Sequence, residues 1–191
     1  GPGASNASTG ILEAFTDCSP VLLITGQSDS STYTRDPAKM FHGLDQMSFF
    51  ASITKYCAIA RTIADIPRIV ENAFQAMRTG RPGPTVLEFP LDVVTSKGEV
   101  SIPKRVNRQS IMPATQNDVQ SAAKAIKESQ RPVLIAGSAV THSGARKELQ
   151  RLAEKLNAPV IVSRCGKGVL SEDHPLALQI AYGYPGKNAM K

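Results

Sequence analysis

No apolar run in this chain approaches the length that spans a bilayer, and no cysteine pair has the C-x-x-C spacing of a metal or redox motif. Cys18, Cys57 and Cys165 lie far apart, and an odd, scattered set of thiols predicts reduced cysteines in a cytoplasmic protein, not a disulfide framework. His42, His142 and His174 are as dispersed, so no metal site is predicted from them. The first residues show no basic region leading into an apolar core, so no secretory signal is expected. What remains is a soluble, membrane-free chain of 191 residues, 41% hydrophobic, long enough for one large or two small domains.

Acidic residues are also in deficit, leaving a formal net charge of +6. The basic residues do not form a stripe. Their densest group, Lys97, Lys104, Arg105 and Arg108, sits in a Pro- and Ser-containing stretch without aromatics, which suits a solvated linker better than a nucleic-acid surface. That stretch, residues 96–114, has no sustained hydrophobic period and is read as the boundary between two α/β units, residues 1–95 and 115–191.

In the first unit, Gly10, Leu12, Ala14 and Phe15 suit a short helix ending near Asp17, and Asn6 is placed either to cap a helix or to present its amide to a ligand. Pro20 opens an apolar run, Val21 to Ile24, read as a strand buried on both faces, with Thr25, Gly26 and Gln27 following at its carboxyl end. In open parallel sheets ligands bind at that end. Residues 27–46 lack a period and read as a long loop, and residues 55–60 as a short or edge strand. Asp65 is read as the cap of a helix burying Ile66, Ile69, Val70, Ala73, Phe74 and Met77, stopped by Gly80. The turn Arg81-Pro82-Gly83-Pro84 then feeds a strand, Thr85 to Phe89, expected beside Val21 to Ile24.

In the second unit, Thr115 and Asp118 form a capping-box pattern before a helix carrying Val119, Ala122, Ala123 and Ile126. A strand over residues 132–136, a turn at Gly137-Ser138, a helix over residues 144–157 burying Leu149, Leu152, Ala153 and Leu156, and a strand over residues 159–162 make a parallel crossover unit. A dinucleotide-binding dehydrogenase is rejected. The turn AGSAVTHSG is not G-x-G-x-x-G, and no acidic residue follows the second strand to hold a ribose.

The ordered succession GPGASN, AFTDCSPVLLITGQ, FHGLDQ, ITK, RPGPTVLEFPLDV, RPVLIAGSAV and APVIVSRCGKG resembles the thiamine-diphosphate-dependent enzymes of the acetolactate synthase and 2-oxoacid decarboxylase type, over nearly the whole chain. The resemblance implies α/β architecture: parallel sheets with flanking helices, the second half of a pyrimidine-binding domain followed by the first half of a central nucleotide-fold domain. It places Pro2, Asn6 and Gln27 at the wall of a cofactor pocket. It also places Gly137, Ser138, Ser163 and Arg164, with Ala136, at the turn that approaches the adenylate part of FAD or ADP. The family's cofactors are thiamine diphosphate and Mg2+, its substrate a small-molecule 2-oxoacid, and its pocket lies between subunits, which implies a homo-oligomer.

The same resemblance implies that no catalytic residue and no metal ligand lies in this chain. The family's essential glutamate precedes the GPG segment, and the GDG motif that holds magnesium and diphosphate belongs to its third domain; no GDG occurs here. The isolated chain is therefore expected to be inactive, to bind the cofactor weakly, and to self-associate through exposed edges and apolar faces. Cys165 stands where flavin-binding members commonly have Gln, and Phe41-His42 replaces a frequent Phe-Gln pair. A nucleotide-binding or assembly module without catalysis, and a remnant or fragment with no function of its own, are the competing readings.

Overall fold

The computed structural model describes residues 1–32, 39–102 and 114–178. Part of the loop expected over residues 27–46, most of the linker stretch and the AYGYPG segment fall outside them. The chain divides into two compact units, residues 1–111 and 112–191. Each is built on a parallel sheet with flanking helices.

The first unit opens with two short helices, α1 (Pro2–Asn6) and α2 (Ser8–Thr16), joined through Ala7. Asn6 therefore caps nothing. Ala7, the cap position of α2, is already in helical conformation and offers no side-chain acceptor. Ile11 and Ala14, not Leu12, form the buried stripe of α2.

Strand β1 (Leu22–Gln27) includes Thr25, Gly26 and Gln27, which the sequence reading placed beyond its end. It is followed by α3 (Gln46–Ala51), whose cap Asp45 accepts from the Ser48 amide, then β2 (Tyr56–Ile59), α4 (Ile66–Arg78), β3 (Thr85–Pro90) and α5 (Leu91–Thr95). The strand order is β1-β3-β2, all parallel, with Leu22 opposite Thr85 and Tyr56 opposite the same residue. The expected pairing of the first strand with Thr85 to Phe89 holds, but the expected double-sided burial of Val21 to Ile24 does not. Among the described residues β1 has a neighbouring strand on one side, and Ile24 is 63% exposed. The strand that is buried is the central β3, where Thr85, Val86, Leu87 and Glu88 are all closed to solvent.

By the two-residue alternation of a strand, β3 feeds two cores. Leu87 packs with Ala60, Ile69, Ala73 and Val93 on the α4 side, and Val86 packs with Ile11 and Phe50 on the α2 and α3 side. Asp65 does not cap α4 directly. It closes a capping box with Thr62 around a single 3-10 turn that leads into the helix. Phe74 falls off the buried stripe, 41% exposed, with the Arg78 guanidinium lying over its ring at 5.5 Å. Gly80, at φ +65°, ends the helix in a conformation that a β-carbon disfavours, as expected from the sequence.

The second unit contains α6 (Gln116–Glu128), β4 (Leu134–Ala136), α7 (Ala139–His142), α8 (Arg146–Leu156) and β5 (Val160–Val162). Thr115 and Asp118 close the capping box read from the sequence. The helix expected from residue 144 starts two residues later, because Gly144 takes φ +72° between α7 and α8. Of its four expected core residues only Ala153 is fully buried; Leu152 is half-exposed. Ala153, Ala136, Val160, Val169 and Leu170 form the core of this unit. The other sheet face is open at Ile135, and α6 buries none of its apolar residues. Among the described residues no helix is long and apolar enough to cross a membrane.

Candidate functional site

The carboxyl edge of the first sheet gathers most of the unit's buried polarity. Thr25 of β1 lies opposite Glu88 of β3, and Gln27 opposite Pro90, so Thr25, Gln27 and Glu88 share the sheet face that carries Val86. Over that face, Gln46 at the start of α3 is completely buried and donates its Nε2 to the Gly26 carbonyl at 2.9 Å. Gln27 answers in the opposite direction, donating its Nε2 to the Leu44 carbonyl at 3.3 Å while its Oε1 accepts from the Ser28 amide at 2.9 Å. The two carboxamides thus clasp residues 44–46 onto the end of β1.

Beneath the clasp lies Glu88, fully shielded from solvent, with neither carboxylate oxygen in hydrogen-bonding geometry with a described residue. Burial without a partner disfavours the charged form, and pushes this carboxyl up to about 7. The Gln27 amide is near enough to pull in the other direction, and the Asp45 carboxylate reinforces the rise. Sequence reading missed Glu88 and Gln46. The available signal was a single ionisable residue inside the apolar run TVLEFP, since glutamate is almost never fully buried without a partner.

Of the residues singled out from the sequence, Gln27 and the GPG segment meet at this edge. A β-carbon on Gly1 would collide with the His42 carbonyl, which places the start of α1 against the Phe41-His42 segment. The Phe41 and His42 rings stack at 3.8 Å, and Phe41 is 85% exposed. Pro2 is exposed beside Gly1. Asn6 ends α1 facing solvent, and none of these contacts includes it. Gly3 and Gly26 have open space where side chains would stand, leaving room for a flat group to approach the backbone. This edge fits a wall for an uncharged ring. Among the described residues no group of three or more His, Cys, Asp or Glu side chains is placed to hold a metal ion.

In the second unit the ends of β4 and β5 lie side by side. The Ser163 amide donates to the Ala136 carbonyl at 2.9 Å, and Ser163 Oγ stands 3.6 Å from where a Gly137 β-carbon would be. Gly166 is fixed as glycine, because a β-carbon there would press on the backbone of Ala136 and Gly137. Ala136, Gly137, Ser138 and Ser163 are therefore brought to one turn, with Arg164 exposed beside Ser163. Ser138 starts α7 without using its side chain as a cap, so its hydroxyl is not committed to the helix end.

Residues 1–49 match the family model "Thiamine pyrophosphate enzyme, N-terminal TPP binding domain", and residues 119–191 match "Thiamine pyrophosphate enzyme, central domain". The chain belongs to the thiamine-diphosphate-dependent enzyme family. Relatives within this family extend the likeness across the stretch between the two matches. The chain is 40% identical over 184 residues to the probable acetolactate synthase large subunit of Methanocaldococcus jannaschii, covering 93% of this chain and 31% of that protein. It is 37% identical over 184 residues to the acetolactate synthase large subunit of Lactococcus lactis, covering 95% of this chain and 32% of the relative. Against the Escherichia coli acetolactate synthase isozyme 1 large subunit it is 34% identical over 179 residues, 93% of this chain and 31% of the relative. The chain thus spans about a third of the length of these relatives.

Proposed function

We propose that this chain is a segment of a thiamine-diphosphate enzyme of the acetolactate synthase type, acting on a small-molecule 2-oxoacid by decarboxylation and ligation to a second carbonyl. The observation that carries this reading is the likeness to acetolactate synthase large subunits over more than nine-tenths of the chain. In this reading the first sheet's carboxyl edge, with Pro2, Gly3, Gly26 and Gln27, is a wall against the cofactor's pyrimidine ring. Glycines admit the ring, and the clasped Gln27 fixes the strand end. Thiamine diphosphate supplies the electron-accepting chemistry when bound. The diphosphate and Mg2+ are assigned to other parts of the enzyme, so this chain by itself is expected to bind the cofactor weakly and to turn over no substrate. The active assembly is a homo-oligomer in the cytoplasm, with neither nucleic acid nor membrane as partner.

The turn of Gly137, Ser138, Ser163 and Arg164 is assigned to the adenylate part of FAD or ADP. At Gly137 the one atom near a β-carbon position is Ser163 Oγ, at 3.6 Å, and the absence of side-chain bulk there supports close approach by a planar base. That geometry also favours the second reading, a nucleotide-binding module without catalysis.

A chimera tests the first reading. The matching 184-residue stretch of the Lactococcus lactis relative is replaced by this chain and assayed for acetolactate formation from pyruvate with thiamine diphosphate and Mg2+. Turnover in the chimera is expected. A folded, oligomeric chimera that is inactive but shows a thermal shift with ADP or FAD would transfer the assignment to the nucleotide-binding module.

A further inference from the structure

Glu88 is the group that the proposed function leaves without a task. It is a buried carboxyl on the central strand, neither of its oxygens is in hydrogen-bonding geometry with a described residue, and it lies on the sheet face over which two amides hold down a segment of chain. His42, two residues before that segment, lies against the start of α1, with the Phe41 ring stacked on its own.

We propose that Glu88 is a proton-operated positioning residue: neutral, it leaves Gln27 and Gln46 to clasp residues 44–46 onto the end of β1, and ionised, it loosens that clasp.

The neighbouring groups give this its physical basis. β1 carries no ionisable side chain, and the ionisable group that β2 places on the Glu88 face is the Cys57 thiol, in register with Val86 and pushed up by burial. The charged residues of α4 belong to the helix packed on the opposite, Leu87 side of the sheet. Among the described residues, the side-chain charge that acts on Glu88 is the Asp45 carboxylate at the cap of α3, while Glu13 of α2 is exposed. A buried carboxylate must be resolvated or must find a donor. The nearby side-chain donor is Gln27 Nε2, which the clasp commits to Leu44. Ionisation therefore draws Gln27 away from Leu44 and sets a negative charge against Asp45, and both effects act on the clasped segment. Any consequence for the cofactor wall rests on the reading above; the clasp itself does not.

Hydrogen–deuterium exchange on the full chain, without cofactor or substrate, tests this separately from the catalytic assignment. After correction for intrinsic rates, protection of the backbone amides of residues 43–49 is expected to fall by up to about 30-fold between about pH 5.5 and about pH 8.5, with α8 as an unaffected reference. Glu88→Gln, permanently neutral and of the same shape, is expected to abolish the fall. Gln27→Ala is expected to lower protection at both pH values and remove the dependence. Asp45→Asn, which keeps a good helix cap and leaves the core untouched, is expected to shrink it. A flat wild-type profile would overturn the proposal, as would an unchanged fall in either Glu88→Gln or Gln27→Ala. Should Glu88→Gln not fold, an undiminished fall in Asp45→Asn would overturn it equally.

Discussion

Replacing Glu88 by glutamine should change how the stability of the whole first unit depends on pH, beyond any local effect on the clasp. In the unfolded chain this carboxyl has an ordinary value near 4.5; in the folded chain it is pushed up to about 7 by burial. A raised carboxyl means that the native state holds its proton longer than the unfolded state does. Stability is then fully present below about 4.5 and is lost as pH rises toward 7. The full separation corresponds to about 3 kcal/mol, reached by about pH 8, with less than about a third of it already lost at pH 5. Wild-type protein should therefore lose about 2 kcal/mol of stability between those two pH values that the Glu88→Gln variant keeps. Urea unfolding followed by far-ultraviolet circular dichroism, run on both proteins at both pH values, measures this. Titrating groups elsewhere, including all of the second unit, contribute equally to both proteins and drop out of the difference. Glutamine brings its own cost as a buried amide, but that cost is independent of pH. Parallel stability profiles for the two proteins would show that Glu88 is either solvated or paired in the folded state, and would refute the argument from burial.

Two further outcomes follow from local geometry. Gly166→Ala places a methyl group against the Ala136 carbonyl and the Gly137 backbone, so it should destabilise the second unit by about 1–3 kcal/mol in denaturant titration and leave the pH behaviour of the first unit unchanged. Thr115→Ala removes the half of the α6 capping box in which Thr115 Oγ1 accepts from the Asp118 amide, a loss of about 1 kcal/mol; because α6 buries none of its residues, the effect should appear as faster amide exchange confined to that helix.

Much of the fold was legible because the relevant forces are local. The Thr115 and Asp118 cap, the stop at Gly80 and the helix over Ile66 to Arg78 all depend on neighbouring residues satisfying one another's backbone groups, and spacing alone reveals them. The pairing of the first strand with Thr85 to Phe89 was readable from their apolar runs. Where the reading failed, the cause was packing that spacing does not show. Ile24 fits a buried run but is exposed on the outer strand of the sheet, and Phe74 is half-exposed although it fits the helical period, because the stripe that meets the sheet is narrower than the apolar set.

The sequence by itself determined the family, the two parallel α/β units and the identity of the turns, since these are carried by ordered motifs and by short-range backbone constraints. Only tertiary structure decided that β3, not β1, is the doubly buried strand, and that one acidic residue within it lies shielded beneath two reciprocal carboxamides. Burial and proximity are set by which strand takes the centre of the sheet and by what α3 lays over it. A residue's electrostatics follow from that enclosure, to which segments far apart along the chain contribute together.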